Sequence, residues 1–378
     1  MLGHLAMALV SALLMFPQIA ETIYSPALTD ISAHFAVSSA DAGQTLAVYF
    51  IGFALGVLFW GWFSDRCGRR PALLCGLAVY TAGCILALAA ANFSVLLAAR
   101  VVAAFGAATG SVVGQTVLRD GYSGRQLAAI FSFVGMALAL SPAMGVYLGG
   151  VLTTRWGMHG VFGGLALLAI VLLLLCLMIM PETRPSPTGK NALWPLAQRM
   201  LVDIKIILAV ALVAALNISL FSYYSQGPFL FNQLGLDSQA FGYSGMALAS
   251  GSLLGALANR LLLRRGVGQR KIFNCAGLLL LLSSAGVALL THSLLFLLPM
   301  MGVAAAYAMA IPVVLGTALS GYGHCRGSAG ALFGLAYYLF IGLGLAIVGW
   351  GQSLGAALVI CAAVSALAGW RYLRYFYD

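Results

Sequence analysis

The chain has 378 residues, of which 62% are hydrophobic and only 7% charged. A soluble domain carries about a quarter charged residues, so this composition excludes a water-soluble globule of such length. The net charge of +10 does not indicate a nucleic-acid partner, because the basic residues sit in short clusters between apolar stretches.

Those apolar stretches repeat along the whole chain and many run to twenty residues, enough to cross a hydrocarbon core as a helix. Period-two alternation is not the pattern, which argues against a β-barrel. The expected spans are 5–28, 41–63, 71–91, 94–118, 126–152, 158–180, 206–231, 240–262, 270–291, 293–319, 327–349 and 353–372. No Lys or Arg precedes Arg66. The first span therefore lacks the basic start of a secretory signal peptide and is read as a retained helix.

Charge sets the orientation. The even-numbered loops and the C-terminal tail hold 17 of the 19 basic residues, leaving only Arg155 in an odd loop and Arg100 inside a span. Excess Lys and Arg marks the cytoplasmic side. Both termini are then cytoplasmic, and Cys67 and Cys325 face the same way. The seven cysteines form no CxxC pair, so neither disulfides nor a metal site is expected.

A polar stretch at 181–205 separates six spans from six. The expected organisation is an N-terminal bundle at 1–184, a linker at 185–204 and a C-terminal bundle at 205–378. A faint repeat supports two parallel halves: Gly61-Trp-Phe-Ser-Asp65-Arg66 ends the second span, and Gly255-Ala-Leu-Ala-Asn259-Arg260 ends the eighth. This alignment pairs Asp65 with Asn259.

The first span holds Glu21 with Tyr24 and Pro26, and the fourth holds Arg100. These are the only charges deep inside spans. Intramembrane charges are expensive and point to function, with a structural ion pair as the competing explanation. Between spans two and three lies Gly61-Trp-Phe-Ser-Asp65-Arg66-Cys-Gly68-Arg69-Arg70-Pro71. A plain topology loop requires only basic residues, not an acid at a helix end followed by Gly and two Arg. Asp65 at a helix C-terminus opposes the macrodipole and needs a positive partner, either Arg69 or a facing helix N-terminus. Asp120 closes the fourth span. Gly106, Gly110 and Gly114 in that span, and Gly145 and Gly149 in the fifth, recur every four residues, a spacing that lets membrane helices approach closely.

The 61–71 loop closely resembles the signature loop of the major facilitator superfamily. Arg100 in Leu-Ala-Ala-Arg100-Val-Val resembles the family's helix-4 arginine motif, with Ala where Gln is common. Ser141-Pro142-Ala-Met-Gly145-Val-Tyr-Leu-Gly149-Gly150 resembles its helix-5 exporter motif, with Ser141 where Gly often precedes the Pro. Pro181-Glu182-Thr-Arg184 after the sixth span is also similar to the family. Glu21-Thr-Ile-Tyr24-Ser-Pro26 resembles the first helix of the twelve-helix drug:H+ antiporter branch, of the Bcr/CflA multidrug type. Many of those carry an Asp at the position of Thr22, whereas here the acid is Glu21.

The resemblance implies an all-α fold of two six-helix bundles that alternate access to a central cavity. It implies a transporter that exchanges a drug or small molecule for protons across a bacterial inner membrane, working as a monomer. Gly61, Asp65, Arg66, Gly68, Arg69, Arg70 and Asp120 would form a cytoplasmic latch. Pro142, Gly145, Gly149 and Gly150 would form the helix-5 antiporter motif, and Glu21 with Arg100 the proton-coupling pair. The depths of Glu21 and Arg100 in their spans allow the two to approach one another. Tyr24, Asn217, Tyr223, Tyr224, Gln226, Tyr307, Tyr337 and Tyr338 would suit a broad-specificity cavity. An interfacial aromatic belt is the other reading of Tyr223, Tyr224, Tyr337 and Tyr338.

Two alternatives are weighed. One is export of a single endogenous metabolite, such as a siderophore or a sugar-like compound. The other is a membrane-embedded enzyme, which the scattered His4, His34, His159, His292 and His324 and the lack of HExxH disfavour. Gly189-Lys190 lacks the remainder of a phosphate-binding loop, so an ATP-driven pump is disfavoured too. No cofactor or metal is expected, and the partners are substrate, protons and lipid.

Overall fold

The computed structural model describes residues 3–184 and 193–377. Residues 185–192 of the expected linker lie outside these, as do the side chains of Arg125, Cys325 and Arg326. The described chain is helical, with no strand among the described residues. In order the helices are α1 (His4–Thr22), α2 (Leu28–His34), α3 (Ser39–Cys67), α4 (Arg69–Leu88), α5 (Phe93–Gly121), α6 (Gly124–Ile179), α7 (Leu193–Val202), α8 (Ile204–Gln233), α9 (Ser238–Arg264), α10 (Gln269–Leu290), α11 (Leu297–Ala318), α12 (Arg326–Gly351) and α13 (Leu354–Tyr377).

Among the described residues, eleven helical runs are long and apolar enough to cross a membrane. One of them, Leu140–Ile179, spans 40 residues, about twice what one crossing needs. It breaks at Gly157, where φ is 61° and ψ −157°, so α6 supplies the fifth and sixth crossings. The expected twelve crossings are therefore present. At the break, the Asp30 carboxylate accepts the Met158 N–H at 2.6 Å and caps the helix that follows. A short helix the sequence reading did not anticipate, α7, lies in the second part of the expected linker.

The polar loop chemistry explains the helix ends. Ser38 and Asp41 form a capping box at the start of α3, satisfying two otherwise orphan N–H groups. Asn92, Asp203 and Asp237 cap α5, α8 and α9.

Contacts divide the chain into two compact units, Met1–Lys190 and Asn191–Asp378. Each is a bundle of six crossings, and internally they are built alike, but not in the register the sequence suggested. Tyr24 bonds Thr45 in the first unit and Tyr223 bonds Ser244 in the second, each pair 21 residues apart. Gly52 and Gly56 of α3 abut the carbonyls of Val101 and Phe105, while Gly251 and Gly255 of α9 abut those of Met301 and Ala305. Ser38 and Asp237 occupy the same cap. The offset is 199 residues for the first two crossings of each unit and 200 for the fourth.

The Gly61–Gly255 alignment is thereby corrected, and Asp65 corresponds to Arg264, not Asn259. Glycine at both helix–helix contacts, set by backbone proximity, is the physical marker of the true register. The Gly61–Gly255 match fails on packing, because Gly255 abuts the Ala305 carbonyl while Gly61 meets only ordinary contact.

Candidate functional site

The signature loop folds around Arg69. Gly68 ends α3 with φ of 108°, a left-handed conformation that side chains resist, and α4 starts at once. The Arg69 side chain, 7% exposed, reaches Asp65 at 2.6 Å and Asp120 at 2.8 Å. Its two acids differ: Asp65 is 72% exposed and Asp120 only 11%. Of the two partners the sequence allowed for Asp65, the structure uses Arg69.

Glu182, to which the sequence reading gave no role, completes the network. Its carboxylate accepts backbone N–H groups from Arg69 at 2.8 Å and Arg70 at 3.1 Å, the first donors of α4, and from Thr183 and Arg184 at 3.0 and 2.9 Å. A Cβ at Gly68 would collide with this carboxylate. Partial burial favours the neutral acid, but the four N–H donors outweigh it and hold the Glu182 carboxyl below its ordinary range. Arg184 returns a bond to the Arg66 carbonyl, and Arg70 donates to the Leu177 carbonyl at 2.7 Å. Gly61 meets only ordinary contact from Val112. The available signal for Glu182 was an acid at the start of a basic segment, directly after the sixth span. A binding anion at a helix start is what the macrodipole favours.

Arg100 lies in the interior of the first unit, 1% exposed. Its guanidinium sits 3.9 Å from the centroid of the Tyr24 ring and 4.5 Å from that of Tyr49. Tyr24 is itself anchored through its hydroxyl to Thr45. The Nε and Nη2 atoms of Arg100 have no acceptor among the described residues. Glu21 is 6% exposed. It forms no ion pair with Arg100 among the described residues. The reason is local. α1 stops at Thr22, and Tyr24 enters a 3-10 turn at Ser25–Ala27 that turns its ring onto the guanidinium. Tyr49, which the sequence reading missed, covers the other side.

Glu21 is unusual among the acids. Asp30, Asp41, Asp203 and Asp237 cap helices. Asp65, Asp120 and Glu182 belong to the Arg69 network. Among the described acids Glu21 alone has neither duty.

The helix-5 motif packs on the same stretch of α1. A Cβ at Gly145 would strike the Thr22 hydroxyl, and one at Gly149 the Ile23 carbonyl. Gly150 is buried beside them, its carbonyl accepting the Thr154 hydroxyl at 2.8 Å. Pro142 lies within α6 one turn earlier. In α5 the glycines serve two neighbours: Gly106 abuts Tyr80 of α4, while Gly110 and Gly114 abut Leu13 and Leu14 of α1.

The candidate cavity residues of the second unit separate into two sets. Tyr223 and Tyr224 are 0% and 2% exposed, which removes them from an interfacial belt. Tyr223 packs against Phe241 and Phe296 as the counterpart of Tyr24. Gln226 donates to the Val348 carbonyl at 2.8 Å, tying α8 to α12. Asn217 accepts from the Tyr307 hydroxyl at 3.1 Å, and Tyr337 and Tyr338 lie ring to ring at 4.4 Å; these four are half-buried.

Comparison with known proteins agrees with this architecture. Residues 10–345 match the profile of the Major Facilitator Superfamily. An uncharacterized transporter of Rickettsia felis is 31% identical over 337 residues, 85% of this chain and 83% of its own. Multidrug resistance protein D of Escherichia coli is 31% identical over 183 residues, 47% of this chain and 45% of its own. In structure, the xylose transporter XylE from E. coli, in a partially occluded inward-open conformation, superposes with a TM-score of 0.74 over 99% of this chain and 97% of its own, at 14% identity. With the signature loop, the two six-helix units and a family match over most of its length, the chain is a multi-pass membrane transporter belonging to the major facilitator superfamily.

Proposed function

We propose that the protein exports small molecules in exchange for protons by alternating access, with Glu21 carrying the proton and Arg100 tuning it. One observation carries this reading. Glu21 and Arg100 are ionisable and buried in the first unit, while the equivalent positions of the second unit, given by the common register, are Leu220 and Met300. The same scaffold is thus built without either group. An ionisable group inside the membrane that the fold does not need, in an acid that among the described residues caps no helix and pairs with no base, is best explained by function.

The coupling follows from elementary electrostatics. Burial favours the protonated form of a carboxyl, and a nearby guanidinium favours the ionised form. A change of conformation that frees Arg100 from its two tyrosines and directs its unpaired N–H groups to Glu21 would expel the proton. Cationic or hydrogen-bonding substrate arriving at Glu21 would do the same. The half-buried Asn217, Tyr307, Tyr337 and Tyr338 are the leading candidates to contact substrate, ahead of the interior Tyr24, Tyr223, Tyr224 and Gln226. The Arg69 network would stabilise one conformational state at the cytoplasmic end. On the positive-inside rule both termini lie in the cytoplasm of a bacterial inner membrane, and the working unit is a monomer with bundles at 1–184 and 205–378 joined by 185–204.

The deciding experiment has two stages. A drug and metabolite accumulation screen in a pump-deficient bacterial host identifies a transported compound, and a single endogenous metabolite as the sole hit would select the dedicated-exporter alternative. That compound is then added to purified protein in weakly buffered detergent while proton release is recorded. Release by the wild type and none by Glu21→Gln is expected. Undiminished release by folded Glu21→Gln would reject Glu21 as the coupling group.

A further inference from the structure

The common register of the two units exposes one place where they are packed differently. In the first unit Trp60 lies between α3 and α5, its indole N–H bonded to the Phe105 carbonyl at 2.6 Å, with Phe59, Phe63 and Phe105 around it. The corresponding residues of the second unit are Asn259, Ala258, Leu262 and Ala305. Where the first unit has four aromatic rings, the second has an amide, two alanines and one leucine. The consequence is an open groove of about 530 Å³ between α9 and α11, lined by Ala256, Asn259, Arg260, Arg264, Ala308 and Pro312.

The chemistry of the groove is specific. Asn259 is 8% exposed, and its Oδ1 atom has no hydrogen-bond partner among the described residues. A buried acceptor left unpaired is unfavourable unless something donates to it. Arg260 and Arg264, one turn apart, are exposed and form no ion pair among the described residues. They stand where the first unit has Gly61 and Asp65. The groove therefore offers two cationic donors and one buried acceptor at its basic end, and apolar walls along the helices.

We infer that this groove binds an anionic phospholipid of the phosphatidylglycerol type. Its phosphodiester matches the arginine pair, its headgroup hydroxyl supplies the donor that Asn259 lacks, and its acyl chains run along Ala256, Ala308 and Pro312. Phosphatidylcholine has no headgroup donor and no net charge, and the ammonium of phosphatidylethanolamine would face two arginines. The inference is independent of the proton-coupling reading, since it involves neither Glu21 nor Arg100.

Native mass spectrometry of the full-length protein, stripped of lipid and offered phosphatidylglycerol, phosphatidylcholine or inorganic phosphate, tests it. Each arginine near a membrane surface is worth roughly a fivefold preference for an anionic lipid. The wild type should retain phosphatidylglycerol over phosphatidylcholine by about tenfold or more. The double variant Arg260→Gln/Arg264→Gln should lose that preference. Ala256→Phe, at an exposed position that leaves the core and both arginines intact, should also lose it by filling the groove. Equal retention of both lipids by the wild type would overturn the inference. So would a preference that survives Ala256→Phe, which would mean only a basic surface, or binding of inorganic phosphate as firmly as the lipid.

Discussion

The guanidinium of Arg100 lies face-on to Tyr24, 3.9 Å from the ring centroid, while Glu21, three residues before that tyrosine, pairs with no base among the described residues. A cation held by π-faces is stabilised without being neutralised, so its remaining N–H groups stay available. The second unit places Met300 at the same position. Arg100→Met should therefore keep the fold, with a thermal midpoint equal to or above that of the wild type, since a mid-membrane arginine costs about 2.5–3.5 kcal/mol on insertion scales. Transport should be lost. A variant that unfolds would assign Arg100 to structure.

Asp65 and Asp120 both bind Arg69 but should fail differently. The Asp120 side chain is only 11% exposed, and its loss leaves a buried guanidinium short of a counter-charge, a defect of about 3–5 kcal/mol. Asp65 is mostly exposed, and its pair is worth under about 1 kcal/mol. Asp120→Asn should lower the unfolding midpoint in detergent markedly. Asp65→Asn should express and unfold like the wild type yet transport poorly, because its effect is on conformational balance. Wild-type transport by Asp65→Asn would reduce the loop to a topology signal.

Glu182 makes a pH prediction. Its folded-state carboxyl titrates below the unfolded value, so its stabilising contribution is present above the ordinary carboxylate range and disappears as pH falls through the depressed value. Glu182→Gln should be less stable than the wild type at neutral pH, with the gap closing well below about pH 4. Unfolding midpoints measured across that range check it. A gap independent of pH would mean that shape, not charge, matters at this position.

Gly149 tests the helix-5 motif. An added methyl would meet the Ile23 backbone, which cannot rotate away as a side chain would. Gly149→Ala should destabilise by roughly 1–3 kcal/mol through overpacking. It should also displace the segment that carries Glu21. The same substitution at Gly163, where nothing lies within 4 Å of an added Cβ, should be silent. Equal effects at the two sites in thermal unfolding would refute a packing role.

Thiol labelling tests orientation. Cys67 is exposed at the end of α3 and should react with an impermeant reagent in inside-out vesicles but not in intact cells. Labelling in intact cells would reverse the topology.

Composition and period alone determine much of this protein. Apolar runs of membrane length must be helices, because no other open structure satisfies its own backbone in lipid. Basic clusters mark the loops, and acids next to Gly and Arg mark the signature loop. These are local properties, written in consecutive residues. What only tertiary structure decides is which groups meet. Arg100 took two tyrosines instead of Glu21, and Glu182 reached across more than 100 residues to cap α4. The repeat settled in a register set by glycine contacts, pairing Asp65 with Arg264. That register turned Trp60 and Asn259 into counterparts, one a plug and the other the floor of a groove. Such pairings depend on helix rotation and interhelical distance, and a chain in which most residues are interchangeable apolar side chains carries little local record of either.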